Sequence, residues 1–326
     1  MKMITKEATY KKAFENIKQS LKEKKARREM LLVSLYSSNS RLKEIDRELS
    51  FIGANIAIAA LSNGKKGVED MQKKSEALVK EKKLILEKAQ IPDLEYNCEI
   101  CKDTGYVSGK ICECVKREAA SIMTNELSRE MPLDECRFEN FDLKYYPDKD
   151  DLEGYNPRRR MTSILKVCRE YVIAFNPETS GNLLFMGKAG LGKTHLTLAI
   201  VSGVIEKGYI PVYASAENLF SAIESEKFSG EGRGSYESVL NCDLLVIDDL
   251  GTEMATSFTK SVLYNIINTR MLSRKPTIIN TNLTMKELEE KYTLRVSSRL
   301  IGSYDGYKFI GKDIRQLKKI QKTVNN

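Results

Sequence analysis

The chain has 326 residues, 41% hydrophobic and 30% charged, with a net charge of +8. That is the composition of a soluble, helix-biased protein with room for one sizeable α/β domain and smaller appendages. No apolar run approaches the length of a membrane span, and Met1–Lys6 lacks the apolar core of a secretion signal, so the expected location is the cytoplasm, with no membrane contact.

Residues 1–92 read as a helical region, rich in Lys, Glu, Leu, Ala and Ile and free of proline until Pro92. Apolar residues recur three and four apart at Phe14, Ile17 and Leu21, and again at Leu42, Ile45 and Leu49. A break is predicted at Ser62-Asn63-Gly64, giving two or more long helices folded back as a coiled-coil hairpin. Ile52–Leu61 is apolar, too short to span a bilayer, and expected to pack against a partner helix. The first 90 residues hold 21 Lys and Arg against 12 Asp and Glu, so this arm carries the whole charge excess and the remainder is near neutral. Such an arm can contact nucleic acid, dock on an acidic protein, or present a solvated face.

Residues 93–118 form a short cysteine module. The chain has seven cysteines, an odd number that argues against a disulfide framework. Four of them, Cys98, Cys101, Cys112 and Cys114, form a C-x-x-C knuckle and a C-x-C pair around a turn bearing Gly105 and Gly109. Four thiolates suit a structural Zn²⁺ that staples a module too small to own a core. Free thiols are the alternative; a redox pair would want a βαβ context, which is absent here.

Residues 119–160 read as a linker and a helix leading into the next domain, residues 161–326. There, helical stretches alternate with apolar strands at Asn182–Met186, Ile210–Ala214, Leu244–Asp248 and Thr277–Thr281, the pattern of a parallel sheet flanked by helices. Between the first strand and the next helix stands Gly187-Lys188-Ala189-Gly190-Leu191-Gly192-Lys193-Thr194, a complete G-x-x-x-x-G-K-[ST] phosphate loop. Its backbone N–H groups and helix N-terminus suit ATP phosphates, Lys193 reaches the β- and γ-phosphates, and the Thr194 hydroxyl is a Mg²⁺ ligand. His195, the single histidine, follows directly; a catalytic base is conceivable there, and packing is the commoner fate of such a residue.

About 55 residues after Lys193, an apolar strand ends in Asp248-Asp249. In this Walker B arrangement Asp248 holds Mg²⁺ through water and Asp249 orients or deprotonates the attacking water. Adjacent side chains on a straight strand point to opposite faces, so the pair needs different tasks or a bend; a simple strand-to-turn exit would also use Asp-Asp-Leu-Gly. Asn282, at the tip of the last strand, is either a water-polarising group near the γ-phosphate or a helix cap. Arg295 and Arg299 lie four apart on one helix face, and Arg315 follows further on; each is a phosphate-binding candidate or a solvated surface arginine.

The block Asp243–Glu253, with Gly187–Thr194 and Pro276–Leu283, resembles the DnaC/DnaI helicase loaders and the IstB transposition ATPases over about residues 135–316. The resemblance implies an AAA+ fold, ATP bound between subunits of a homo-oligomer, Asn282 as sensor 1, Arg299 (with Arg295 competing) as arginine finger and Arg315 as sensor 2. The C-terminal lid of larger AAA+ proteins is not evident after Arg315. Met254–Arg270 resembles the stretch that lines a DNA channel in related ATPases. The implied function is a slow, switch-like ATPase that loads the replicative helicase hexamer onto single-stranded DNA. A transposition helper ATPase and a nucleotide-bound interaction protein without significant turnover are the alternatives. The long arm and cysteines lean away from the former, the intact Lys193, Asp248 and Asp249 set away from the latter.

Overall fold

The computed structural model describes residues 5–61, 65–150, 154–229 and 234–324. The chain divides into two compact bodies, Phe14–Cys112 and a second made of Met1–Ala13 with Glu113–Asn326. Among the described residues no helix is long and apolar enough to cross a membrane.

Three helices supply most of the first body: α1 (Lys6–Ser38), α2 (Ser40–Leu61) and α3 (Lys65–Lys88). The first break falls at Asn39, where the Asn39 side chain accepts from the Arg41 amide at 3.1 Å and caps the new helix. The break predicted at Ser62-Asn63-Gly64 lies outside the described residues. Helices α2 and α3 pack antiparallel: Arg41 bonds Glu81 at 2.8 Å while Lys74, earlier in α3, reaches Glu48 at 3.1 Å. Their seam is Ile45, Leu49, Ile52 and Ile56, spaced four and three, against Met71, Leu78 and Ile85, spaced seven. This is the heptad geometry of a coiled-coil hairpin. Phe51 and Ile58, on the apolar stretch of α2, stay exposed. A two-residue turn at Ser108-Gly109, both at positive φ, then joins the short strands β1 (Tyr106–Val107) and β2 (Lys110–Ile111).

The second body opens with α4 (Glu113–Ser128) and α5 (Pro157–Ala174) and continues as β3 (Asn182–Met186), α6 (Lys193–Glu206), β4 (Pro211–Ser215), α7 (Ala216–Ser229), α8 (Gly234–Asn241), β5 (Leu244–Leu250), α9 (Ser257–Leu272), β6 (Thr277–Thr281), α10 (Met285–Tyr292), α11 (Leu294–Ser303), β7 (Tyr304–Lys308) and α12 (Ile314–Val324). Five strands pair in parallel in the order β4-β5-β6-β3-β7. Leu183–Phe185, Leu244–Ile247 and Ile278–Ile279 are buried without alternation, as strands covered on both faces require. Two predicted strands have the predicted bounds; β4 begins one residue later and β5 runs on to Leu250. The sheet also contains β7, which the sequence reading missed. The first turns of α1 belong to this body: Thr9 and Ala13 are buried, and Lys6 Nζ lies 2.6 Å from Asp243 Oδ1.

Arg270 ties the base of the sheet together. It is 1% exposed, and its guanidinium donates to Thr277 Oγ1 at 3.0 Å, the Val239 carbonyl at 2.7 Å and the Pro276 carbonyl at 2.7 Å. Among the described residues no carboxylate pairs with it; carbonyls at the end of α8 and just before β6 take its protons. Removing it strands several buried acceptors, each worth about 1–3 kcal/mol. Arg270→Leu is expected to lower the unfolding free energy by about 2–4 kcal/mol in urea titrations; an unchanged midpoint would show that those carbonyls find other partners.

Candidate nucleotide-binding site

β3 delivers the chain to the phosphate loop, and α6 leaves it. Gly192 caps α6 at φ +90°, in the left-handed region, where a Cβ would sit 2.8 Å from the Phe141 ring and 2.9 Å from the Tyr146 hydroxyl. Only glycine meets both conditions. Tyr146 in turn donates to the Leu191 carbonyl at 2.8 Å, so the segment before α5 braces the loop from outside. From the other side, Ile314 N donates to the Gly190 carbonyl at 3.0 Å, which lays the start of α12 against the loop.

Lys193 is buried, and its ammonium donates to the Gly187 carbonyl at 2.6 Å, the Lys188 carbonyl at 2.9 Å and Asn282 Oδ1 at 2.6 Å. Burial lowers its pKa, and the charges of Asp249 and Asp248 oppose that shift. Thr194 donates to Asp248 Oδ2 at 3.1 Å. The bend that the two adjacent aspartates need is present. The β5–β6 register slips between Ile247 and Leu250, and Asp249 sits at φ +52°. This bulge turns Asp249 into the open site while Asp248, 4% exposed, stays beneath it. Burial and the adjacent Asp248 charge raise the Asp249 carboxyl above its ordinary range.

These groups surround a cavity of about 560 Å³, within the range of small-molecule sites. Ala189, Gly190, Leu191, Gly192, Lys193, Thr194 and His195 line it from the loop and α6, joined by Asp249, Asn282 and Arg315. Gly187 and Lys188 do not line it; their carbonyls hold the Lys193 ammonium. His195 Nε2 lies 2.8 Å from the Arg137 carbonyl, and its ring meets Phe141 edge-on. Burial lowers its pKa, which suits a packed neutral imidazole. Arg299 lies away from this cavity: it donates to Asn268 Oδ1 at 3.0 Å and stacks over Tyr264, 4.3 Å from the ring centroid. Arg295, one turn earlier on α11, is exposed. Neither lines its own chain's cavity.

Sequence reading missed the opposite wall, where Cys136, Phe141, Tyr145 and Lys318 face the loop, and it missed Tyr213 and Asn280, which bond Asp248 from below. The aromatic-rich run Phe138–Tyr146 was the available signal for the wall. Thr194 and Asp248 offer hydroxyl and carboxylate oxygens side by side, the donor type that a hard divalent cation takes.

The four clustered cysteines come together as their spacing predicted, with all four Sγ atoms within 4.8 Å of one another. Cys98 and Cys112 Sγ are 3.8 Å apart, about the edge of a tetrahedron with 2.3 Å Zn–S bonds. Buried Asp103 holds the knuckle by accepting from the Asn97 and Cys98 amides at 2.9 and 2.8 Å. Hydrogen bonding by the Cys101 backbone helps to bring the Cys98 thiol down to about 7. The donor set fits zinc. At the phosphate loop, Gly192→Ala forces a left-handed alanine into the Phe141 and Tyr146 rings. It is expected to cost about 1–2 kcal/mol of stability from the backbone alone and to abolish nucleotide affinity in a fluorescent-ADP titration.

Residues 136–295 match the family profile described as IstB-like ATP binding protein. The replicative helicase loader DnaC of Escherichia coli (strain K12) is 29% identical over 204 residues, 61% of this chain and 77% of that protein. The DnaC of Buchnera aphidicola subsp. Baizongia pistaciae (strain Bp) is 28% identical over 169 residues, 51% of this chain and 63% of that one. A crystal structure of the DnaC helicase loader aligns at 26% identity over 52% of this chain and 97% of its own, with a TM-score of 0.44. The complete phosphate loop, the paired aspartates and four of the five strands of the parallel sheet fall within residues 136–295, the region that is similar to the IstB-like ATP binding proteins.

Proposed function

We propose that this protein loads the replicative DNA helicase onto single-stranded DNA, acting as a homo-oligomeric AAA+ ATPase whose slow turnover serves as a switch. The observation that carries the reading is the 204-residue similarity to loader DnaC, on a chain whose cavity keeps Lys193, Thr194, Asp249, Asn282 and Arg315 together.

In this reading ATP lies across the loop. Lys193 leaves the Gly187 and Lys188 carbonyls for the β- and γ-phosphates, and loop amides take the remaining phosphate oxygens. Thr194 and Asp248 would hold Mg²⁺, which would supply positive charge against the phosphates. Asp249, with its raised carboxyl pKa, orients the attacking water and accepts its proton. Asn282 polarises that water as sensor 1, and Arg315 reads the γ-phosphate as sensor 2. Arg299 of a neighbouring protomer completes the site as the finger, with Arg295 beside it; their position outside their own chain's cavity supports action in trans. The helical arm and a zinc-bearing Cys98, Cys101, Cys112 and Cys114 module grip the helicase.

Lys193→Ala should abolish ATP binding. Arg299→Ala should keep ATP binding and lose turnover by about 10³-fold, the scale of an arginine finger; normal hydrolysis in Arg299→Ala would move the assignment to Arg295. Co-purification with the replicative helicase under ATP and its loss under ADP test the loader reading. Capture of a transposase in place of the helicase would favour the transposition helper. For the cysteine module, metal analysis should find one zinc per chain, lost in Cys98→Ser and Cys101→Ser; substoichiometric metal in fresh protein would overturn it.

A further inference from the structure

Beneath the nucleotide cavity, the Asp248 carboxylate is saturated. Its two oxygens offer about four acceptor sites, and four donors fill them. Tyr213 and Thr194 hydroxyls bond Oδ2, the latter at 3.1 Å. Asn280 Nδ2 at 2.7 Å and the Asp249 amide at 3.0 Å bond Oδ1. Three of these donors stand on the sheet or its bulge. Tyr213 faces Val246 in the β4–β5 register and Asp248 faces Ser215, so Tyr213 and Asp248 lie two positions apart on one face. Asn280 is fully buried on β6.

The orientation of Asn280 is determined as well. An ionised carboxylate only accepts, so the amide must turn its NH₂ to Asp248 and its oxygen away. That oxygen accepts from the Thr197 hydroxyl at 3.0 Å. Thr197 stands three residues after Thr194 on the same face of α6. Thr194 is the one donor of the four that the phosphate loop contributes, and its hydroxyl is the one a cation would claim.

We propose that Tyr213, with Asn280 held by Thr197, is a positioning residue that aims the single exchangeable acceptor site of Asp248 at the Thr194 hydroxyl, where a hydrated divalent cation binds. A cation held by the Thr194 oxygen would free that one acceptor site on Asp248 for a donor from the cation's hydration shell, and the other three bonds would stay as they are. This inference rests on the ATP-site reading above and adds to it a clamp that sets metal affinity separately from phosphate affinity.

The test uses the full chain, Mn²⁺ as a paramagnetic stand-in and ADP as the nucleotide. Free Mn²⁺ is measured by electron paramagnetic resonance at saturating ADP, and ADP affinity is measured separately in EDTA. Tyr213→Phe keeps the ring and deletes the donor. It should weaken Mn²⁺ binding by about 10-fold, the usual scale for a group that orients a metal ligand, with metal-free ADP affinity unchanged. Thr197→Val, which releases the Asn280 amide, should shift Mn²⁺ in the same direction and serves as the second variant should Tyr213→Phe fold poorly. Wild-type Mn²⁺ affinity in both variants overturns the clamp, as does a parallel loss of metal-free ADP affinity in both. A wild-type chain that binds no ADP with or without metal overturns the nucleotide-site reading itself.

Discussion

Two neighbouring aspartates on one strand must serve one cavity, and the backbone alone makes that possible. A regular β5 would send Asp248 and Asp249 to opposite faces of the sheet. The slipped register before Leu250 and the left-handed Asp249 remove that conflict. A left-handed non-glycine residue is strained, and such strain persists only where surrounding structure fixes it. Here the fixing groups are local: the Asp249 amide bonds Asp248, and the Asp249 carbonyl accepts from the Thr252 hydroxyl at 2.9 Å. Bulge, buried carboxylate and exposed carboxylate therefore form one unit, and the loop across from it is arranged to meet both oxygens and both charges.

Further along, the same turn is tied to the helices that carry the candidate finger arginines. Glu253 is buried; it accepts from the Gly251 amide at 2.9 Å and from the Tyr292 hydroxyl, while Lys291 donates to the Gly251 carbonyl. Tyr292 ends α10, and Thr293, at φ +136°, opens α11 with Arg295 and Arg299. A buried carboxylate that loses its partner costs more than the bond contributed, which makes this connection stiff. The strand end that faces nucleotide and the helix that presents the arginines are thus joined by side chains within one body.

The parts that the sequence disclosed are those where chemistry and period coincide. The loop 187–194 permits few substitutions because glycine φ, phosphate access and the Lys193 reach all constrain it, so its pattern was readable outright. Strands covered on both faces carry unbroken apolar stretches such as Leu183–Phe185 and Ile278–Ile279, and β3 and β6 appeared with their observed bounds. β7 escaped because Tyr304-Asp305-Gly306-Tyr307-Lys308 is an edge strand, largely solvent-facing and carrying the residues that edges tolerate. The break at Asn39 lay among four polar residues inside a long helical pattern, where a cap and a solvated face look alike. Tyr213 and Asn280 carried no signal at all: a tyrosine in an apolar strand reads as core, and only the fold brings its hydroxyl to Asp248.

Without ligand the site still satisfies itself. Lys193 occupies two loop carbonyls and Asn282, Thr194 occupies Asp248, and no buried side-chain polar atom among the described residues lacks a partner. Triphosphate binding then exchanges bonds rather than creating them, so its net energy rests on charge: an ammonium and a helix N-terminus against phosphate. Arg299 has the same character, since its guanidinium already stacks on Tyr264 and bonds Asn268. If Arg299 acts as the proposed finger, leaving these neutral partners for another protomer would be favourable only toward a larger charge, which a γ-phosphate is and an empty loop is not. In the proposed loader, a contact between protomers through Arg299 would therefore depend on bound nucleotide, the property that a loading switch requires.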